Sequence, residues 1–134
     1  MTSRYLLDTH VLVRWIAQAE RLSRSQARAI EDSMRLRQTL AYSAMTLIEI
    51  AMLFDASGKL RLKMSRDEFF SRIEESDALQ LLPISIDIAK EAAALPALRD
   101  PADRVIVATA RVHGLRLITS DQRIADSGAV YVVE

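Results

Sequence analysis

The chain has no cysteine and only three glycines and three prolines among its 134 residues. Without thiols there are no disulfide staples, no thiolate zinc sites and no cysteine nucleophile. The glycines, Gly58, Gly114 and Gly128, are too scattered to form a glycine-rich phosphate loop. Aromatic residues make up 5% of the chain, so no base-stacking platform of the kind single-strand binders use is apparent. No apolar run approaches the ~18–20 residues of a membrane span, and no secretory hydrophobic segment is visible. Eighteen basic residues balance eighteen acidic ones, so net charge announces no polyanionic partner. What remains is a chain that is 50% hydrophobic, enough for a sizeable core. It is expected to be a soluble cytoplasmic protein with one domain over 1–134.

The balanced charge is unevenly spread. Residues 1–45 hold seven Arg against four acids, 46–66 hold four bases against two, and 67–103 hold nine acids against three bases. Fifteen of the eighteen basic residues are Arg, whose planar fork suits phosphate oxygens. This permits a nucleic-acid substrate without requiring one, since a general preference for Arg gives the same composition.

Short apolar stretches alternate with helical patterns. Tyr5-Leu6-Leu7 reads as a strand ending at Asp8, and a helix follows over 9–18 with Val11, Leu12, Trp15 and Ile16 on one face. Ser23 or Ser25 caps a second helix to Leu36, and 39–44 is a strand. Thr46 opens a helix that stops before Gly58. Ser65 and Glu68 form a capping box for a helix to Ser76. A strand lies within 79–86, and Asp87 caps a helix ending before Pro96. Asp100 with Pro101 opens a helix that runs to Gly114. Strands at 115–119 and 130–133 complete the pattern. Strands separated by helices of this length imply a parallel sheet with right-handed crossovers. The expected class is α/β, a three-layer α/β/α sandwich with a central parallel sheet.

Open parallel sheets build their sites outside the carboxyl ends of the strands, and this topology brings four carboxylates to that edge. Asp8 ends the first strand, and Asp121 follows the strand 117–119. Asp103 lies in the first turn of a helix that leads directly into that later strand, so the helix N-terminus comes back to the same edge. Glu49 lies early in the helix that leaves the 39–44 strand. Each has an ordinary structural role available: Asp8 as a cap, Glu49 in a Thr46-x-x-Glu49 capping box, Asp103 on a helix dipole, Asp121 in a turn. Glu49 strains that explanation, because its helix is apolar on nearly every side, as expected of an element buried all round, and has no base three or four residues away. Two carboxylates ~4 Å apart repel by about 4 kcal/mol at an effective dielectric of about 20. Four together call for positive charge between them. Arg or Lys can supply it, and so can a divalent cation. Mg²⁺ and Mn²⁺ favour hard oxygen donors, and the lack of an obligatory His or Cys disfavours zinc.

Taken in order, Leu6-Leu7-Asp8-Thr9-His10, Thr46-Leu47-Ile48-Glu49-Ile50-Ala51, Asp100-Pro101-Ala102-Asp103-Arg104-Val105-Ile106-Val107-Ala108-Thr109-Ala110 and Thr119-Ser120-Asp121 resemble a PIN-domain nuclease. More narrowly, the chain is similar to the VapC toxins of bacterial toxin–antitoxin pairs. The resemblance spans essentially the whole sequence. It implies a PIN-like fold and an endoribonuclease dependent on Mg²⁺ or Mn²⁺ that hydrolyses phosphodiesters with a metal-activated water. Asp8, Glu49, Asp103 and Asp121 take its acidic, metal-binding positions, with Asp8 and Asp103 foremost as direct ligands. Thr119, or else Ser120, would steady the cluster by its hydroxyl. The resemblance also implies a homodimer and a cognate antitoxin, and the apolar segment 48–54 offers an interface for either or else packs in the core. Two other readings of the same residues are an inactive PIN-like binding module and a phosphatase with Asp8 as nucleophile. The latter ordinarily wants a second Asp two residues on, where this chain has His10. His10 is read as a packing residue at the helix start or else a substrate contact, Trp15 as a core residue, and Arg14, Arg61, Lys63, Arg66 and Arg104 as solvated bases or phosphate contacts.

Overall fold

The structure, a computed structural model, describes residues 2–55 and 62–134; Gly58, Arg61 and the end of the third helix expected before Gly58 lie outside the described residues. The chain begins with β1 (Ser3–Leu7), α1 (Thr9–Ala17), α2 (Arg24–Arg35), β2 (Thr39–Ser43) and α3 (Ala44–Asp55). It continues with α4 (Arg66–Glu75), β3 (Leu79–Leu82), α5 (Ile86–Ala93) and α6 (Pro101–His113), then β4 (Arg116–Ile118), α7 (Gln122–Ser127) and β5 (Val132–Val133).

The strands form one sheet in the order β3-β2-β1-β4-β5, and every neighbouring pair is parallel. Tyr5, Leu6 and Leu7 lie opposite Arg116, Leu117 and Ile118. Alternate strand residues enter different layers, as the two-residue period of a strand demands. Leu7, Leu40, Tyr42 and Ile118 pack with Val11, Leu12, Ile30, Ile50, Phe69 and Ile73 of α1–α4. Leu6, Ala41 and Leu117 pack with Ile88, Ile106, Val107 and Ile124 of α5–α7. A sheet covered on both faces is the three-layer sandwich expected from the alternation of elements. The chain proceeds outward from β1 through β2 to β3, then returns to the other side of β1 for β4 and β5. The strand order therefore reverses between β1 and β4, where open α/β sheets leave a crevice at their carboxyl edge.

Most helix ends follow their sequence signals. Ser23 caps α2 in a complete capping box with Gln26, and Asp100 caps α6 with Pro101 in its first turn. Gly114 closes α6 at φ +65, where a side chain would be strained. Two helix starts and one capping box differ from expectation. The α3 helix begins at Ala44 rather than Thr46, because the Ser43 hydroxyl at the strand's end accepts from the Met45 amide (3.1 Å). Thr46 is then inside the helix, so the Thr46–Glu49 capping box does not form. Ser85, not Asp87, caps α5 by accepting from the Ile88 amide. Ser65 caps α4, but Glu68 turns its carboxylate to Arg72 instead of closing the box. The all-round burial expected of α3 also fails. Thr46 and Ile50 are its buried residues, whereas Ile48 is 52% and Met52 66% exposed. Leu47 and Phe54 serve the core on the covered side. Trp15 packs against the same core, as its helical position suggested.

Candidate active site

Asp8 stands at the carboxyl end of the central strand and is almost fully buried. Its amide donates to the Ile118 carbonyl (3.0 Å), which continues the β1–β4 pairing one residue past the strand. Its carboxylate caps α1: Oδ1 accepts from the Thr9 amide (2.8 Å), while Oδ2 accepts from the Thr119 hydroxyl (2.6 Å). Thr119 is itself buried, and its hydroxyl oxygen accepts from the Asp121 amide (3.0 Å). One hydroxyl thus ties the end of β1 to the turn leaving β4. Asp121 caps α7, with Oδ1 accepting from the Arg123 amide (2.9 Å).

Glu49 approaches from α3. The Thr9 hydroxyl donates to its Oε1 (2.6 Å), and Thr46 in turn lies 3.0 Å from that hydroxyl. Since Thr9 has one proton to give, the Thr46 hydroxyl is the donor in the second contact. Burial first, then the charges of Asp8 and Asp100, push the Glu49 carboxyl above its ordinary range, against the Thr9 hydrogen bond. Asp103, in the first turn of α6, is pushed up to about 6. Burial is the main cause, followed by the charges of Asp100, Asp8 and Asp121. Asp121 goes the other way, held down chiefly by its hydrogen bond from Arg123.

The four carboxylates expected at this edge therefore share it, and Asp100 adds a fifth negative charge to the field while serving as the α6 cap. They do not close on one point. Among the described residues, no three carboxylates or imidazoles are arranged to hold a metal ion as the side chains stand. The hydrogen bonds explain this, since Asp8 is turned onto Thr9 and Thr119, Glu49 onto Thr9, and Asp121 onto its helix and Arg123. The set still suits a hard divalent cation. Every candidate donor is a carboxylate or hydroxyl oxygen, and two of the acids, Glu49 and Asp103, are hard to ionise, first because they are partly buried and then because their neighbours are negative.

Some contributors were not singled out in the sequence. Arg123 binds Asp121 through Nε (3.3 Å) and an Nη (3.1 Å) and lies 3.9 Å from Asp103. Gln26 is wholly buried; its amide nitrogen donates to the Ser120 hydroxyl (2.9 Å), to which Arg14 also donates (3.2 Å). His10 does more than pack: its Nε2 accepts from the Ser120 amide (2.8 Å), leaving Nδ1–H towards Asp8 Oδ2 at 3.6 Å. Burial holds the imidazole below its ordinary pKa, against the raising effect of Asp8, consistent with a neutral ring. Ser120 is thus a pin for the 119–121 turn. Of the suggested phosphate-binding bases, Arg66 pairs with Asp55 and Arg104 donates to the Leu98 carbonyl. A basic residue two positions after a capping Asp was the available signal for Arg123. Gln26 had none, because its partner lies 94 residues away.

A stability effect follows from Asp103. Its folded pKa of about 6 exceeds its ordinary 3.8, so the associated stability is fully present below 3.8 and lost as pH rises through 6. Screening at a partly hydrated rim reduces the effect to about 1–2 kcal/mol. With chelator present, urea unfolding at pH 5 and pH 8 should show the protein less stable at pH 8, and Asp103→Asn should shrink that difference. An unchanged difference in the variant would assign it to other groups.

The family profile described as the PIN domain matches residues 5–129. The chain belongs to the PIN-domain family. It is 36% identical over 121 residues to Ribonuclease VapC22 of Mycobacterium tuberculosis, covering 89% of this PIN-domain chain and 88% of that protein. Its fold is similar to that of VapBC2 from Rickettsia felis, solved bound to a promoter DNA fragment (TM-score 0.70, 17% identity, 96% of each chain). It is also similar to DNA-bound VapBC from Salmonella typhimurium (0.71, 16%, 98% and 97%) and FitAcB from Neisseria gonorrhoeae (0.69, 23%, 97% and 96%).

Proposed function

We propose that this PIN-domain protein is an endoribonuclease, the toxin of a VapBC-type toxin–antitoxin pair, working with Mg²⁺ or Mn²⁺. The observation that carries the reading is the buried link Asp8–Thr119–Asp121 beside an Asp103 whose carboxyl is raised by burial and, after it, by the charges of Asp100, Asp8 and Asp121. Asp8 and Asp103 would hold the cation, with Glu49 and Asp121 flanking them. When bound, such a cation lowers the pKa of a water and offsets charge on the phosphate undergoing hydrolysis.

The protein's own groups prepare that edge. Thr119 orients Asp8 and fixes the Asp121 amide, Thr9 and Thr46 orient Glu49, and Ser120 is held by His10, Gln26 and Arg14. Similarity to a named ribonuclease supports RNA as substrate, and the VapBC pairs among the structural neighbours support a cognate antitoxin. The exposed Ile48 and Met52 of α3 give an apolar surface suited to that partner or to a homodimer. No helix among the described residues is long and apolar enough to cross a membrane, in keeping with action on cytoplasmic RNA as a single-domain protein.

Antitoxin-free protein incubated with total RNA should give discrete products with Mn²⁺ or Mg²⁺ and none with EDTA. Cleavage that persists in EDTA would overturn the cation requirement. Lack of cleavage together with lack of cation binding would favour a PIN-like binding module.

A further inference from the structure

Arg123 is out of place in a site that needs to receive a cation. Its guanidinium already reaches across two of the proposed carboxylates, with Asp121 in a two-toothed hydrogen bond and Asp103 at 3.9 Å. Its side chain is 78% exposed, while those of Asp103 and Asp121 are 17% and 19% exposed. Solvent therefore surrounds the arginine's long stem, and only its tip is engaged. Among the described residues it is the one arginine within 4 Å of either carboxylate; Arg14 and Arg104, also at this edge in sequence, are bonded to Ser120 and Leu98.

A guanidinium held against these two carboxylates and a divalent cation drawn to the same oxygens compete, since the two positive charges repel at that distance. An exposed arginine can leave at little cost because water solvates it on departure. Once released, it is anchored two residues from Asp121 with five N–H donors free, a fork that matches phosphate oxygens.

We propose that Arg123 is a displaceable clamp: it bridges Asp121 and Asp103 while the rim holds no cation and turns onto a substrate phosphate when a divalent cation enters. Arg123 is thus a positioning residue that opposes cation binding and favours RNA binding. The inference rests on the cation-dependent nuclease reading given above.

The test pairs Mn²⁺ titration by calorimetry with anisotropy of a labelled single-stranded oligoribonucleotide in Ca²⁺, for wild type, Arg123→Gln and Arg123→Lys. Arg123→Gln should bind Mn²⁺ about 5–10-fold more tightly, the size of a modest coupling between two competing ligands. It should also bind the oligonucleotide more weakly, with a salt-dependence slope smaller by about 0.7, as for one lost phosphate contact on a single strand. Arg123→Lys keeps the charge and should restore most of both effects. A merely structural arginine would not tighten Mn²⁺ binding when removed. Equal or weaker Mn²⁺ binding by Arg123→Gln, or an unchanged salt slope, overturns the clamp while leaving the nuclease reading in place. A wild type that binds no Mn²⁺ overturns both.

Discussion

Asp8→Asn should cut RNA at least about 100-fold more slowly than wild type while remaining folded, because removing even an indirect contact to a metal site commonly costs 10–100-fold. Asparagine keeps the shape of aspartate, so β1 and α1 have no steric reason to move. It changes the charge and one pole of the hydrogen bonding. The Asp8 carboxylate accepts from Thr9 on one oxygen and from Thr119 on the other. The amide can accept from only one of these; with its oxygen on the Thr9 amide, its NH₂ donates to the Thr119 hydroxyl and leaves that hydroxyl's proton without its acceptor, at a cost of about 1–3 kcal/mol. Relief of repulsion works in the other direction, since Asp8 raises the carboxyls of both Asp103 and Glu49. These opposed effects predict a stability change within about 1 kcal/mol in chelator. Initial rates in Mn²⁺ beside urea unfolding in EDTA separate the two consequences. Wild-type rates from the purified variant would remove Asp8 from the chemistry, and unfolding would make the loss of activity uninformative about its role.

Phe69→Ala should lower stability by about 3–5 kcal/mol, the range for truncating a fully buried phenylalanine. Phe69 has no exposed surface and lies 5.7 Å from Phe54 and 6.5 Å, edge-on, from Phe70. It joins α4 to α3, and α3 carries Glu49. In a domain whose net stability is about 5–15 kcal/mol, such a loss lowers the melting temperature by roughly 10–20 °C. Because Glu49 is also held by Thr9, cleavage measured well below the variant's midpoint should fall far less than in Asp8→Asn. Thermal unfolding with paired rate measurements checks both expectations. A melting point within a few degrees of wild type would show that α4 contributes little to the core, and a rate loss equal to that of Asp8→Asn would show that Glu49 depends on ring packing more than on its hydrogen bond.

The sequence alone determined the class of fold and the sheet edge at which the four carboxylates gather. Both depend on local features: strands at 5–7, 40–42 and 117–118 are apolar because both faces of a parallel sheet are covered, and Asp100-Pro101 and Gly114 mark the ends of α6 through backbone geometry. Helix starts were less legible where two capping residues competed, as Ser85 did with Asp87. The burial of α3 was misread because a helix that is apolar all round implies full coverage only if some element lies on each side, and Ile48 and Met52 have none among the described residues. Tertiary structure alone decided how the carboxylates are held. The Thr119–Asp8 bond crosses 111 residues, Gln26–Ser120 crosses 94, and Thr9–Glu49 crosses 40. Such contacts follow from strand order and register, which no local pattern encodes. The raised carboxyl of Asp103 has in part the same origin: burial sets most of it, Asp100 of its own helix cap adds to it, and Asp8 and Asp121 bring charge from two distant segments.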